Sequence, residues 1–140
     1  MASNSKQDLL HRVPLFERLG RHELERLGQL ADEVDAPSGR VLMRQGDRGA
    51  EMFIISEGRV RIDKDGSTVA ELGPGDWFGE MALLSEGDRS ATATVAEASR
   101  LFVVAHREFH ELMDEMPSVR TAVFQCVAER LGKSESGAIN

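Results

Sequence analysis

Apolar residues in the N-terminal third recur at a helical spacing, with Leu9, Leu10, Leu15, Phe16 and Leu19 leading into Leu24, Leu27 and Leu30. Pro14 and Gly20 break the run, so the pattern predicts two short helices after a loose tail over residues 1–7. From Val34 to Ala105 the period changes. Short β-leaning segments are separated by Gly39, Gly46, Gly49, Gly58, Gly66, Gly73 and Gly75, the turn rhythm of an antiparallel sandwich or barrel. Asp65-Gly66 lies between segments 59–63 and 68–72 and predicts a hairpin turn, since both residues tolerate positive φ. A short helix over residues 80–84 interrupts the strands, which resume at 92–95 and 100–105. His106–Glu115 then reads as a helix, Met116-Pro117 breaks it, and residues 118–131 form a last helix stopped by Gly132. Val119, Ala122, Val123, Cys126, Val127 and Leu131 share one face of that helix. The predicted fold is mainly β with flanking helices, a single domain over residues 1–132 with its barrel at about 30–105 and a flexible tail at 133–140.

At 140 residues and 41% hydrophobic, the chain can build one core and bury roughly two thirds of its unfolded surface. A formal charge of −7 and a pI near 5.1 argue against a nucleic-acid or anionic-membrane surface, because such a surface needs a basic footprint. A small anion can still be held by one focused arginine. The lone Cys126 excludes an intramolecular disulfide and fits a reducing compartment. No apolar run is long enough to span a bilayer, the start MASNSKQ has no apolar signal region, and position 2 is Ala, so neither secretion nor myristoylation is indicated. Cytoplasmic residence is the default expectation.

The candidate chemistry is concentrated in residues 78–91, FGEMALLSEGDRSA. Gly79 frees the backbone before a turn, Glu80 falls in the first turn of the short helix, and the N–H groups of that turn form an anion site. Arg89 adds a fixed fork of donors suited to two oxygens of one phosphate. A carboxylate beside an anion site is repulsive unless it accepts from a neutral donor such as a ribose hydroxyl. One arginine and one helix N-terminus match a singly charged phosphodiester; a triphosphate calls for GxxxxGK[ST], which the chain lacks. Taken alone, Arg89 would read as a surface arginine paired with Asp88, Glu86 or Glu80, and Glu80 as an acid favoured by the helix dipole.

The same stretch resembles, residue for residue, the phosphate-binding cassette of the cyclic nucleotide-binding domain family. That pattern is an apolar residue, Gly, Glu, any residue, a small and an aliphatic residue, a short loop, then Arg, a small residue and Ala. Phe78, Gly79, Glu80, Met81, Ala82, Leu83, Arg89, Ser90 and Ala91 meet it. A second signature lies in QGDRGAEMFIISEG, where Gly46, Asp47 and Gly49 form a turn, Met52 to Ile55 a strand and Gly58 the next turn. The resemblance covers about Val13 to Leu131. It implies an antiparallel β-barrel or jelly roll with N-terminal helices, an internal cassette helix, and C-terminal hinge and lid helices.

The resemblance also implies roles. Arg89, with the N–H groups of Ala82 and Ser90, would hold the cyclic phosphate; Glu80, aided by Gly79, would hold the ribose 2′-hydroxyl. Ile62, Leu72, Phe78, Met81 and Ala91 would line the base pocket, with Ala70 better read as core and Trp77 left out of the site. Leu83 or Leu84 would transmit cassette movement to Phe109 in the hinge helix. Asp88 stands where many relatives have proline, which is expected to loosen the loop and put a negative charge near the phosphate. The ligand is a cyclic purine nucleotide, cAMP in preference to cGMP; no catalysis, cofactor or metal is expected. An effector domain or protein partner and a weak homodimer stay open.

Rival readings are weaker. A cupin-like metal enzyme needs histidines inside the barrel, yet His11, His22, His106 and His110 all lie outside the strand region. His106 and His110 share a helix face at i, i+4 but lack a third ligand, so solvent-facing histidines are expected; Cys126 reads as a packed thiol. A catabolite-activator-like transcription regulator would need a DNA-binding unit, for which nine residues after Leu131 are too few, so that alternative stands with this chain as a fragment of such a regulator. A degenerate domain serving only as a protein contact is disfavoured by the presence of both Glu80 and Arg89.

Overall fold

The computed structural model describes residues 5–133. Helix α1 (Lys6–Arg12) is capped by Ser5, whose Oγ accepts from the Asp8 N–H at 3.2 Å, so ordered structure begins inside the stretch expected as a tail. Pro14 opens a 3-10 turn (Pro14–Phe16) and Gly20 caps α2 (Arg21–Leu30), where the Glu23 carboxylate accepts the Gly20 N–H at 2.7 Å. Both breaks act as their residue types dictate.

Eight strands follow: β1 (Asp32–Ala36), β2 (Val41–Met43), β3 (Arg48–Gly49), β4 (Glu51–Lys64), β5 (Ser67–Leu72), β6 (Trp77–Phe78), β7 (Gly87–Asp88) and β8 (Thr92–Ala105). The chain ends in α3 (His106–Glu115) and α4 (Pro117–Lys133). The main sheet runs β1–β8–β4–β5, with β2 on β8 and β6 on β4, and β3 and β7 form a small separate ribbon. Every pairing is antiparallel. The expected hairpin joins β4 to β5, with φ of 53° at Asp65 and 84° at Gly66.

Four expectations are corrected. Gly58 is not a turn but sits inside β4, where the register to β8 shifts between Glu57 and Arg59 and the strand bulges. Segments 92–95 and 100–105 are one strand, because β8 stays paired along its length, first to β4 and β2 and then to β4 and β1. Gly132 does not stop the last helix, which runs to Lys133; a helical glycine costs only about 1 kcal/mol relative to alanine. The cassette helix is a 3-10 turn over Glu80–Leu83, closed by bonds from Ala82 N to Gly79 O and Leu84 N to Met81 O, both 3.1 Å.

Strand parity explains how one short apolar run serves two cores. In β4, Met52 and Ile54 face the helices, while Phe53 and Ile55 face the barrel interior, so four consecutive residues are buried. β8 repeats the division, with Phe102 and Val104 on the helix side and Leu101 in the barrel. The helix-side core gathers Leu9, Leu10, Phe16, Leu27, Phe109, Leu112, Val119 and Val123. Cys126 is buried, donates to the Pro14 carbonyl at 3.1 Å, and is pushed up in pKa by that burial. It is a packed thiol that ties α4 to the Pro14 turn. The Leu131 side chain lies outside the described residues.

Candidate functional site

Strand β6 brings residues 77 and 78 alongside the N-terminal part of β4, pairing Ile54 with Trp77 and Phe53 with Phe78. By parity Phe78 enters the barrel, where its ring stacks on Phe53 at 5.0 Å, and Trp77 packs against the helix-side core. Gly79 then turns the chain at φ 79°, a left-handed conformation that favours glycine, and starts the 3-10 turn.

The loop after that turn is not loose. Strand β7 pairs Asp88 with Arg48 and Gly87 with Gly49, the Arg89 N–H donates to the Asp47 carbonyl at 2.7 Å, and the Arg89 carbonyl accepts the Gly46 N–H at 2.8 Å. The two sequence signatures are therefore bonded to each other through the backbone. Asp88 does not loosen the segment as its replacement of proline suggested: its main chain is locked in the ribbon and its side chain is exposed.

Among the described residues the buried charged side chains are Glu80, 1% exposed, and Arg89, 6% exposed. Arg89 donates from Nη2 to the Glu51 carbonyl at 2.7 Å. Burial pushes its pKa below arginine's ordinary value, and the Glu51 carboxylate acts in the opposite direction. The guanidinium is seated between two glycines. A Cβ on Gly49 would lie 2.2 Å from Arg89 Nε, and one on Gly79 would lie 2.8 Å from Nη1 and 2.9 Å from the Glu51 oxygen. Glu80 accepts from the Trp77 indole Nε1–H at 3.1 Å. A neutral donor satisfies this carboxylate oxygen without cancelling its charge.

Of the residues expected around the base, Ile62, Phe78 and Ala91 are buried together in the barrel interior and Leu72 packs against them. Met81 is separate, 36% exposed and outside that cluster. Ala82 is buried and Ser90 half-buried. Leu83 and Phe109 are fully buried in the helix-side core, with Leu84 packed against it, and the Phe109 ring meets Phe16 at 5.6 Å between centroids.

His106 and His110 overturn the expectation of solvent-facing side chains. Both are half-buried; His106 donates from Nδ1 to the Ala82 carbonyl at 2.8 Å and His110 from Nε2 to the Leu83 carbonyl at 3.0 Å. The i, i+4 spacing sets the rings against each other, tilted by 36° with centroids 4.1 Å apart, and aims them at consecutive carbonyls of the 3-10 turn. Helix α3 is thus hydrogen-bonded to the cassette backbone as well as packed on its leucines. The spacing was legible in the sequence, but its target lies 24 to 27 residues away.

Three comparisons bear on this arrangement. The model of the cyclic nucleotide-binding domain matches residues 33–116. The chain is 36% identical over 124 residues to a cyclic nucleotide-gated potassium channel of Rhizobium etli, covering 89% of this chain and 35% of that protein. It is 32% identical over 127 residues to the cyclic AMP receptor protein of Thermus thermophilus, covering 87% of this chain and 59% of that one. Among solved structures, the N-terminal domain of a transcriptional regulator from Streptomyces coelicolor superposes with a TM-score of 0.84 at 32% identity, covering 91% of this chain and 92% of that one. The chain thus spans between a third and three fifths of the length of these two relatives. No helix among the described residues is long and apolar enough to cross a membrane. With both signatures joined around a buried arginine and a buried glutamate, the chain belongs to the cyclic nucleotide-binding domain family.

Proposed function

We propose that this domain is a non-catalytic sensor that binds a cyclic purine nucleotide, cAMP in preference to cGMP, and repositions α3 and α4 in response. The observation that carries the reading is the burial of Glu80 and Arg89, two opposite charges in one short cassette. A buried guanidinium that keeps a carbonyl partner but loses hydration is stabilised by an arriving monoanion. In this reading Arg89 and the N–H groups of Ala82 and Ser90 take the cyclic phosphate, and Glu80, next to the freely turning Gly79, takes the ribose 2′-hydroxyl. The base rests on Ile62, Leu72, Phe78 and Ala91, with Met81 at the rim. A relative named for cyclic AMP supports the choice of nucleotide.

Ligand binding on the Ala82 N–H pulls on a peptide adjoining the carbonyl that holds His106, and Leu83 and Leu84 press on the core around Phe109. Movement of the cassette therefore reaches α3 by hydrogen bonds and by packing, and α4 follows α3 to act on an effector segment or a protein partner. The acidic balance and the absence of a spanning helix among the described residues fit work in the cytoplasm. Titration with cAMP and cGMP in parallel, following Trp77 fluorescence and melting temperature, tests the reading. A rise in melting temperature with cAMP at lower concentration than with cGMP is expected. No response to either at millimolar concentration would leave the degenerate, protein-contact reading in its place.

A further inference from the structure

We propose that Trp77 is a positioning residue for ribose recognition: its indole N–H holds one oxygen of Glu80 so that the carboxylate is oriented for a sugar hydroxyl. The inference rests on the ribose role assigned to Glu80 above. Its basis is the 3.1 Å bond from Trp77 Nε1 to Glu80 Oε1, made to a carboxylate that is only 1% exposed. A buried carboxylate rotates about its terminal torsion unless a donor fixes it, and a neutral donor fixes the plane while leaving the charge available. Trp77 is itself immobilised. Its backbone pairs with Ile54 in the sheet and its ring packs on the helix-side core, so the donor stands on a rigid element.

The placement has a second consequence. Trp77 lies on the helix-facing side of the sheet, in the same cluster as Phe109 and Leu112, whereas its neighbour Phe78 lies in the barrel. One residue therefore touches both the ribose-recognising carboxylate and the core that carries the hinge helix. The role is one of specificity: loss of the indole N–H should penalise ligands that use the 2′-hydroxyl and spare those that lack it.

Trp77 is the chain's single tryptophan, so replacing all tryptophan with the sulfur isostere benzothienylalanine removes this N–H alone and keeps the ring. Affinities of wild type, Trp77→Phe, the isostere-labelled protein and Glu80→Ala are to be measured with cAMP and 2′-deoxy-cAMP. The expected result is a loss of about tenfold for cAMP, the scale of a hydrogen bond to a charged group, with 2′-deoxy-cAMP unchanged, in both Trp77 replacements. The lone indole N–H resonance should also shift more with cAMP than with the deoxy ligand. Equal losses for both ligands, or no loss for either in the isostere-labelled protein, would overturn the inference and leave Trp77 a packing residue. Failure of wild type and Glu80→Ala to differ in their preference for cAMP over 2′-deoxy-cAMP would instead remove the ribose assignment, and this inference with it.

Discussion

Gly49 is the floor on which Arg89 lies: a methyl group at position 49 would sit 2.2 Å from Nε, 2.4 Å from Cζ and 2.6 Å from Cδ. Three atoms of one side chain cannot all be closer than van der Waals contact, so Gly49→Ala must displace the guanidinium. Because β3 pairs with β7 at this residue, the backbone cannot yield without opening the ribbon that holds residue 89. Overpacking of this kind costs about 1–3 kcal/mol. Gly49→Ala is expected to lose stability on that scale in urea unfolding and to lose cAMP affinity nearly as far as an Arg89 variant does. A variant that keeps full affinity would show that the arginine is not seated in its binding position.

His106 and His110 are predicted to contribute through the carbonyls they serve. Replacing either by alanine leaves a carbonyl of Ala82 or Leu83 short of its donor at a partly buried site, at a cost of about 1–3 kcal/mol. Chemical denaturation should show a loss of this size for each variant. The losses should not sum in the double variant, since the two rings also contact each other. Unchanged midpoints would mean that packing of Leu83 against Phe109 alone joins α3 to the cassette.

A separate contact, between Arg26 on α2 and Glu115 at the end of α3, predicts a pH dependence. Arg26 donates from Nε at 2.8 Å and Nη2 at 2.7 Å to the two oxygens of Glu115, and this bonding holds the carboxyl below its usual range. A folded pKa below the unfolded one gives a contribution that is present above the unfolded pKa and is lost as pH falls through the folded value. Glu115→Gln should therefore melt below wild type at neutral pH, with the gap closing as pH falls through the acidic carboxylate range. Both side chains are solvent-accessible, so high salt should shrink the gap as well. A gap that persists in acid would remove Arg26 as its cause.

The sequence was most informative where local chemistry decides structure. Gly79 before Glu80, the Asp65-Gly66 turn, Pro14 and Gly20 each constrain the backbone within a few residues, and each acts in the fold as its type requires. The chain's two buried charges among the described residues are the two that residues 78–91 single out. What could not be read depends on register. Gly49 looked like one more turn glycine because nothing nearby in sequence says that β3 will lie against β7. Trp77 stood outside the expected site, and its bond to Glu80 exists because β6 pairs with β4 in one particular phase. The histidine pair was visible, but its acceptors belong to an element brought there by packing over more than 20 residues. Gly58 was misread for the same reason, since a bulge and a turn call for the same residue and differ only in whether the partner strand continues.

The account depends on Arg89 meeting the anion of the ligand, and calorimetric titration of wild type and Arg89→Ala with cAMP tests that most directly. Truncating one partner of a buried charge pair costs about 2–5 kcal/mol, so the variant should bind roughly 30-fold to several thousand-fold more weakly. Equal affinities for cAMP in the two proteins would contradict it.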